Sequence, residues 1–140
     1  MKKIIVAIIF HTICYSQNIN GSYQSRFNSF NNPNDTTKNF FKPELNTIII
    51  DVYDFPETNG SVTIMNKDQD GETLSLKYQI TGSKRTEKAD SGIYYFYPAK
   101  MYINNIPTRT QCTIAIHSNL DDIIILYTEA GTVAVFGIKN

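Results

Sequence analysis

Short runs rich in isoleucine, valine, threonine and tyrosine recur along this chain, with turn-forming residues between them. The clearest run is 73–81, in which Leu74, Leu76, Tyr78 and Ile80 alternate with polar residues. Such alternation buries one face of a strand and leaves the other in solvent. No segment after residue 16 carries the periodicity of an amphipathic helix. The pattern therefore predicts an all-β protein.

The connections between the runs decide how the strands pair. Further runs cover residues 47–53, 61–66, 93–97, 111–117, 122–128 and 132–138, with a weaker one at 21–27. Asn59-Gly60 and Asp70-Gly71 favour tight turns between them. Parallel strands need crossovers of about a dozen residues or more, which these short connections cannot supply. We predict an antiparallel meander of about seven or eight short strands that forms a small barrel or a two-sheet sandwich.

The first residues have the character of a secretory signal peptide. Lys2 and Lys3 precede an apolar run over residues 4–10, and polarity returns at Tyr15. The run is shorter than the roughly 18–20 residues that cross a bilayer, so no transmembrane segment is expected. We predict cleavage after Ser16, which divides the chain into a signal peptide at 1–16 and a single β domain at 17–140. The predicted localisation is secreted or periplasmic.

Cys14 offers an alternative, because bacterial lipoproteins carry their lipid on a cysteine just after such a run. His11 and Ile13 stand where that signal has a branched aliphatic and a small residue, so export without a lipid anchor is preferred. Cleavage would leave Cys112 as the single cysteine, and packing rather than an internal disulfide must then stabilise the domain. The 13 basic residues only balance the 13 acidic ones, which argues against a nucleic-acid partner.

The segment 28–42 differs from the rest of the chain because it holds five asparagines and Pro33. We predict a long Asn-rich loop there. Large apolar residues flank its centre, namely Phe27, Phe30, Phe40, Phe41 and Leu45. The strands after residue 92 are apolar on both faces, so something must cover their second face. The flanking phenylalanines are the preferred cover, and a ligand or a second copy of the chain, giving a homodimer through these C-terminal strands, is the alternative.

One candidate metal site and one candidate nucleophile can be weighed from spacing alone. Asn66, Asp68, Asp70 and Gly71 follow the order of a calcium loop, but Lys77 stands where an EF-hand needs a glutamate. A hairpin turn is the preferred interpretation, so no metal is expected.

Cys112 and His117 are five residues apart, which places them on opposite faces of a strand. Cys112 is therefore predicted to be a buried apolar residue, and no cofactor is expected.

The residues most suited to binding are aromatic. Tyr94, Tyr95, Tyr97 and Tyr102 form the densest tyrosine set in the chain, and tyrosines can line a ligand pocket or stack on sugars. Asp51 lies within a strand, and it is the acidic residue that we add to these tyrosines as a candidate binding residue. A non-catalytic secreted protein that binds a small ligand, a glycan or a protein is the preferred function. The alternatives are a small hydrolase that uses Asp51 and another carboxylate, and a structural module of the cell envelope.

The start of the mature chain adds one fold-level observation. Gly21-Ser22-Tyr23 resembles the Gly-x-Trp start of lipocalin-type barrels, with tyrosine in the place of tryptophan. The resemblance covers three residues, and it implies a barrel as one of the two fold alternatives.

Overall fold

The computed structural model describes residues 19–120, 122–127 and 131–136, and antiparallel β-structure dominates them. The strands are β1 (Gly21–Asn31), β2 (Phe40–Tyr53), β3 (Asn59–Lys67), β4 (Thr73–Ile80), β5 (Arg85–Ala89), β6 (Gly92–Ile103), β7 (Ile106–His117), β8 (Asp122–Tyr127) and β9 (Gly131–Phe136), with a 3-10 helix at Thr36–Lys38. The predicted all-β class is confirmed. The predicted signal peptide at 1–16, with Cys14, lies outside the described residues.

The described strands form one curled, nine-stranded sheet in which every pairing is antiparallel. Consecutive strands pair along most of the chain, as a meander requires, and β1 also pairs with β9. The strands β4 and β5 follow one another along the same side of β6, with Ile80 opposite Ala99 and Arg85 opposite Phe96. No helix in this part of the chain has the length and apolarity to cross a bilayer.

The inner face of the sheet is filled with side chains. Its largest fully buried apolar members are Tyr78, Ile48, Ile50, Ile114, Ile116 and Ile123. Each such side chain contributes about 1.5–3 kcal/mol when it is fully buried. Cys112 lies among them on β7 and is buried, as the sequence predicts.

The Asn-rich segment is shorter as a loop than its composition suggests. The strand β1 continues to Asn31 and β2 begins at Phe40, so only residues 32–39 connect them. The predicted loop at 28–42 is therefore wrong at both ends. Phe30 lies opposite Phe40 with stacked rings 5.9 Å apart, and on its other side opposite Val133 of β9. These two pairings outweigh the low strand propensity of asparagine.

The phenylalanines of this hairpin do not cover the C-terminal strands as predicted. Because β1 pairs edge to edge with β9, the hairpin extends the same sheet and does not lie on its face. Phe41 remains 67% exposed. On the outer face of β7, Ala115 is nonetheless buried, and Phe96 of β6 lies opposite it.

A bulge interrupts the pairing of β1 with β2. The register shifts between Ser25 and Phe27, so that Arg26 of β1 lies opposite two residues of β2, Glu44 and Leu45. An extra residue on one strand bends that strand and increases its local twist.

The strands β2 and β3 separate next to this bulge. Their pairing ends at Thr47 opposite Met65, whereas β3 stays paired with β4 as far as Lys67 opposite Thr73. Residues 40–46 of β2 therefore have β1 as their one strand neighbour among the described residues. The bend of β2 explains the separation, and a cleft opens between the two strands.

Candidate functional site

The predicted tyrosine set is divided between the two faces of β6. Tyr97 is 3% exposed and belongs to the core, with Tyr95 packed against it. Burial raises the pKa of Tyr97 well above its ordinary value, and the charge of Asp54 adds to the effect. Tyr94 and Tyr102 occupy alternate positions and point to the outer face. The strand β6 therefore carries Tyr95 and Tyr97 on its inner face and Tyr94 and Tyr102, eight residues apart, on its outer face.

Asp51 lies on the outer face of β2, away from Tyr95 and Tyr97. Its Oδ1 accepts a hydrogen bond of 2.5 Å from the hydroxyl of Tyr53. This bond, with the negative charge of Asp51, raises the pKa of Tyr53. The predicted binding residues thus fall on both sides of the sheet.

A hydrolase that uses Asp51 would also need a cation to hold an anionic group, and two candidates for that role, Lys84 and Arg85, are engaged with other groups. Lys84 Nζ lies 2.6 Å from Asp54 Oδ2 and 5.2 Å from the centre of the Tyr95 ring. Arg85 pairs with Glu87 at 2.6 Å. These contacts keep both cations with partners other than Asp51.

The candidate calcium loop is the turn between β3 and β4. Asp68 Oδ1 accepts hydrogen bonds from the backbone N–H groups of Asp70 and Glu72, at 2.9 and 2.8 Å. Gly71 takes the left-handed conformation, with φ of 80°, that the turn requires. The described residues hold no cluster of three or more histidine, cysteine or acidic side chains placed to bind a metal. Asp68 acts here as the residue that closes a hairpin.

A buried histidine contact escaped the sequence analysis. His117 Nε2 lies 3.0 Å from Ser91 Oγ, and its Nδ1 accepts a hydrogen bond of 3.1 Å from the N–H of Asn119. Since Nδ1 accepts, a neutral ring carries its proton on Nε2 and donates it to Ser91. A general base would need an acceptor at Nε2 to take the serine proton. The pair therefore fastens two turns together, with the ring of Tyr94 edge-on at 4.9 Å from His117.

The cleft between β2 and β3 is a concave site with a volume of about 460 Å³. Its lining residues are Glu44, Leu45 and Thr47 of β2, Met65, Asn66 and Lys67 of β3, and Thr73 of β4. Leu45 is 64% exposed. The carboxylate of Glu44 lies 3.1 Å from Lys42 Nζ. The site thus combines an apolar wall with charged groups at its margin.

A buried polar network joins β1 and β2 beside the cleft. Asn46 is 1% exposed, and its amide donates to Ser25 Oγ at 2.8 Å and to Asn28 Oδ1 at 2.7 Å. The amide of Asn28 also donates to Glu44. Buried polar groups are stable when they are bonded in this way. The network ties the two strands together where the bulge distorts their pairing.

Sequence reasoning missed the cleft, although one signal was present. Proline within a strand is confined to edges and bulges, because it has no N–H to donate. Pro43 stands in β2 directly before the bulge. It lies in the part of β2, residues 40–46, that has no second strand neighbour among the described residues.

Comparison with known proteins gives no family assignment. No family model, curated protein or solved structure matches the chain.

Proposed function

We propose that this chain is an exported, non-catalytic β-domain whose cleft between β2 and β3 binds the apolar part of a ligand or partner. The observation that carries the proposal is the position of the cavity. The inner face is filled with side chains, whereas a cavity of about 460 Å³ lies between β2 and β3, where the two strands separate. Ligand sites commonly have volumes of about 300–1,000 Å³. We propose in addition that the curled sheet is a small up-and-down barrel whose interior is filled by its own side chains.

The chemistry of the cleft suits an amphipathic ligand. Leu45 and Met65 supply apolar side chains to its lining, and Lys67 and Glu44 supply charge. Apolar walls with a few placed polar groups are typical of binding sites.

Catalysis has less support among the described residues. Asp51 accepts a hydrogen bond from Tyr53. In the neutral His117 ring, Nε2 carries the proton and faces Ser91, so this nitrogen cannot take the serine proton as a general base would. We therefore favour binding over the hydrolase alternative.

The proposal can be tested with the fluorescent apolar probe anilinonaphthalene sulfonate and the dilute mature protein. We expect probe fluorescence to rise on binding, and Leu45→Asp to weaken binding about tenfold, since a charge replaces an apolar contact. Ile106→Asp is the matched control, because Ile106 is 68% exposed against 64% for Leu45 and lies outside the cleft. Equal losses in both variants, or an unchanged affinity in Leu45→Asp, would contradict the proposal.

A further inference from the structure

Three neighbouring strands carry positive charge that no nearby carboxylate balances. The strands β4, β6 and β7 lie side by side, with β3 next to β4, and none of the four contains aspartate or glutamate. Lys77 of β4, Lys100 of β6 and Arg109 of β7 are the cations of the three strands. Every ion pair that the described residues form uses other cations.

The pairing of β4 with β6 places the two lysines close together on the outer face. Tyr78 and Met101 lie opposite one another and pack in the core. Their neighbours Lys77 and Lys100 therefore point outwards, because side chains alternate along a strand. Lys77 lies opposite Tyr102, two residues beyond Lys100. The two lysines are thus diagonal neighbours, with Cβ atoms about 7 Å apart.

Arg109 extends this group onto β7. It is exposed, the residues on either side of it are half-buried, and Gln111 is exposed again, so Arg109 and Gln111 share the outer face. Gln111 lies opposite Lys100, which puts Arg109 beside the segment of β6 that carries Lys100 and Tyr102. Neighbouring strands are about 4.8 Å apart, so the cations span about 10 Å across the sheet. We call Lys77, Lys100 and Arg109 the cationic face.

The carboxylates around the cationic face lie at a distance or have partners. Asp51 of β2 is two strands from β4 and accepts a hydrogen bond from Tyr53. Glu87 of β5 pairs with Arg85. The acidic turn 68–72 ends five residues before Lys77, about 17 Å along the strand. Grouped like charges oppose folding, and a bound anion would supply the missing counter-charge.

We propose that the cationic face binds a polysaccharide that carries carboxylate groups. Three cations spread over three strands match several acidic groups along one chain. The guanidinium of Arg109 has the planar fork that fits a carboxylate. The amide of Gln111 offers both a donor and an acceptor, as sugar hydroxyls require. Tyr102, opposite Lys77, adds a ring on which a sugar can stack.

Other polyanions fit this face less well. Clusters that bind anionic lipids usually contain four to eight basic residues, and the cationic face has three. Domains that bind nucleic acids are usually strongly basic, whereas this chain has 13 basic and 13 acidic residues. The face is also separate from the cleft between β2 and β3, because none of its cations lines that cavity.

Isothermal titration calorimetry with oligomers of polygalacturonate tests the proposal. The matched ligand is the methyl-esterified oligomer, which has the same sugar backbone without charge. We expect the protein to bind the charged oligomer alone, and salt to weaken this binding, because salt screens exposed charges. Equal affinity for the two oligomers, or binding that salt does not weaken, would overturn the proposal. Tighter binding to phosphatidylglycerol vesicles would also overturn it and assign the face to a membrane.

Neutral variants locate the binding site on the protein. Lys77→Gln, Lys100→Gln and Arg109→Gln should each weaken polygalacturonate binding about fivefold, the factor that one cation contributes beside an anionic surface. Lys88→Gln is the matched control, because Lys88 is an exposed lysine of β5 that lies opposite Ile93 and outside the cationic face. It should bind like the wild type. Unchanged affinity in the three variants, or an equal loss in Lys88→Gln, would contradict the assignment.

Discussion

Cys112 lies on the inner face of β7, where its thiol approaches the carbonyl oxygen of Ala99 at 3.7 Å. Burial raises the pKa of this thiol from 9.0 to about 11. A buried, protonated thiol reacts slowly with thiol reagents. At the scale of single residues, burial thus gives the one cysteine of the described residues a role in core packing rather than in chemistry.

This burial predicts a contribution to stability at alkaline pH. The unfolded chain loses the thiol proton at a lower pH than the folded chain, so stability is full below pH 9.0 and falls as pH rises towards about 11. The loss should amount to about 2–3 kcal/mol, because one pKa unit corresponds to about 1.4 kcal/mol. Urea unfolding at several pH values would measure it, with Cys112→Ala as the control that lacks this component. Equal pH dependence in the two proteins would contradict the prediction.

At the scale of the elements, the hairpin of β3 and β4 depends on one carboxylate. Asp68→Ala removes the acceptor of two backbone N–H groups and should lower the free energy of unfolding by about 0.5–2 kcal/mol. Asp70→Ala leaves both acceptor bonds of Asp68 in place and should cost less. Thermal unfolding of the variants would compare them.

The same measurement addresses the calcium alternative. A bound ion stabilises the folded state in proportion to the logarithm of its concentration over its dissociation constant. We expect added calcium to leave the melting temperature of the wild type unchanged. A rise that Asp68→Ala abolishes would instead identify the turn as a calcium site.

Several elements could be predicted from local pattern, and others could not. The alternation at 73–81 predicted β4, which spans Thr73–Ile80, to within one residue. It did so because one face of this strand is buried and the other faces solvent. The five residues of β5 carry three charges and were missed, since their pairing with β6 determines their conformation. The asparagines of β1 were missed for the same reason.

The candidate site depended even more on tertiary structure. The period of two along a strand is enough to place Tyr95 and Tyr97 on the face opposite to Tyr94. The cleft could not be derived in this way, because it results from a shift of register between β1 and β2 and from the distance at which β3 leaves β2. Pairing between strands, rather than the composition of one strand, creates it.

At the scale of the whole molecule, export is the first property to test. We predict that the exported protein begins at Gln17, because the charged start and short apolar run end at Ser16. Intact-mass measurement of protein recovered outside the cytoplasm would show the mass of residues 17–140. Retention of Met1, or additional mass from lipid on Cys14, would contradict soluble secretion.

The pairing of β1 with β9 has a consequence for the order in which such a chain can fold. Phe27 lies opposite Phe136, so β1 gains its second neighbour only when β9, more than 100 residues further along the chain, is available. Contacts between residues so distant in sequence form slowly, because the loop between them must be closed first. For a chain exported as proposed above, this postpones completion of the sheet until β9 has been synthesised. A partly synthesised chain would keep two strand edges exposed. It would therefore remain in a form that can be threaded across a membrane. The same exposed edges would require protection from aggregation before export.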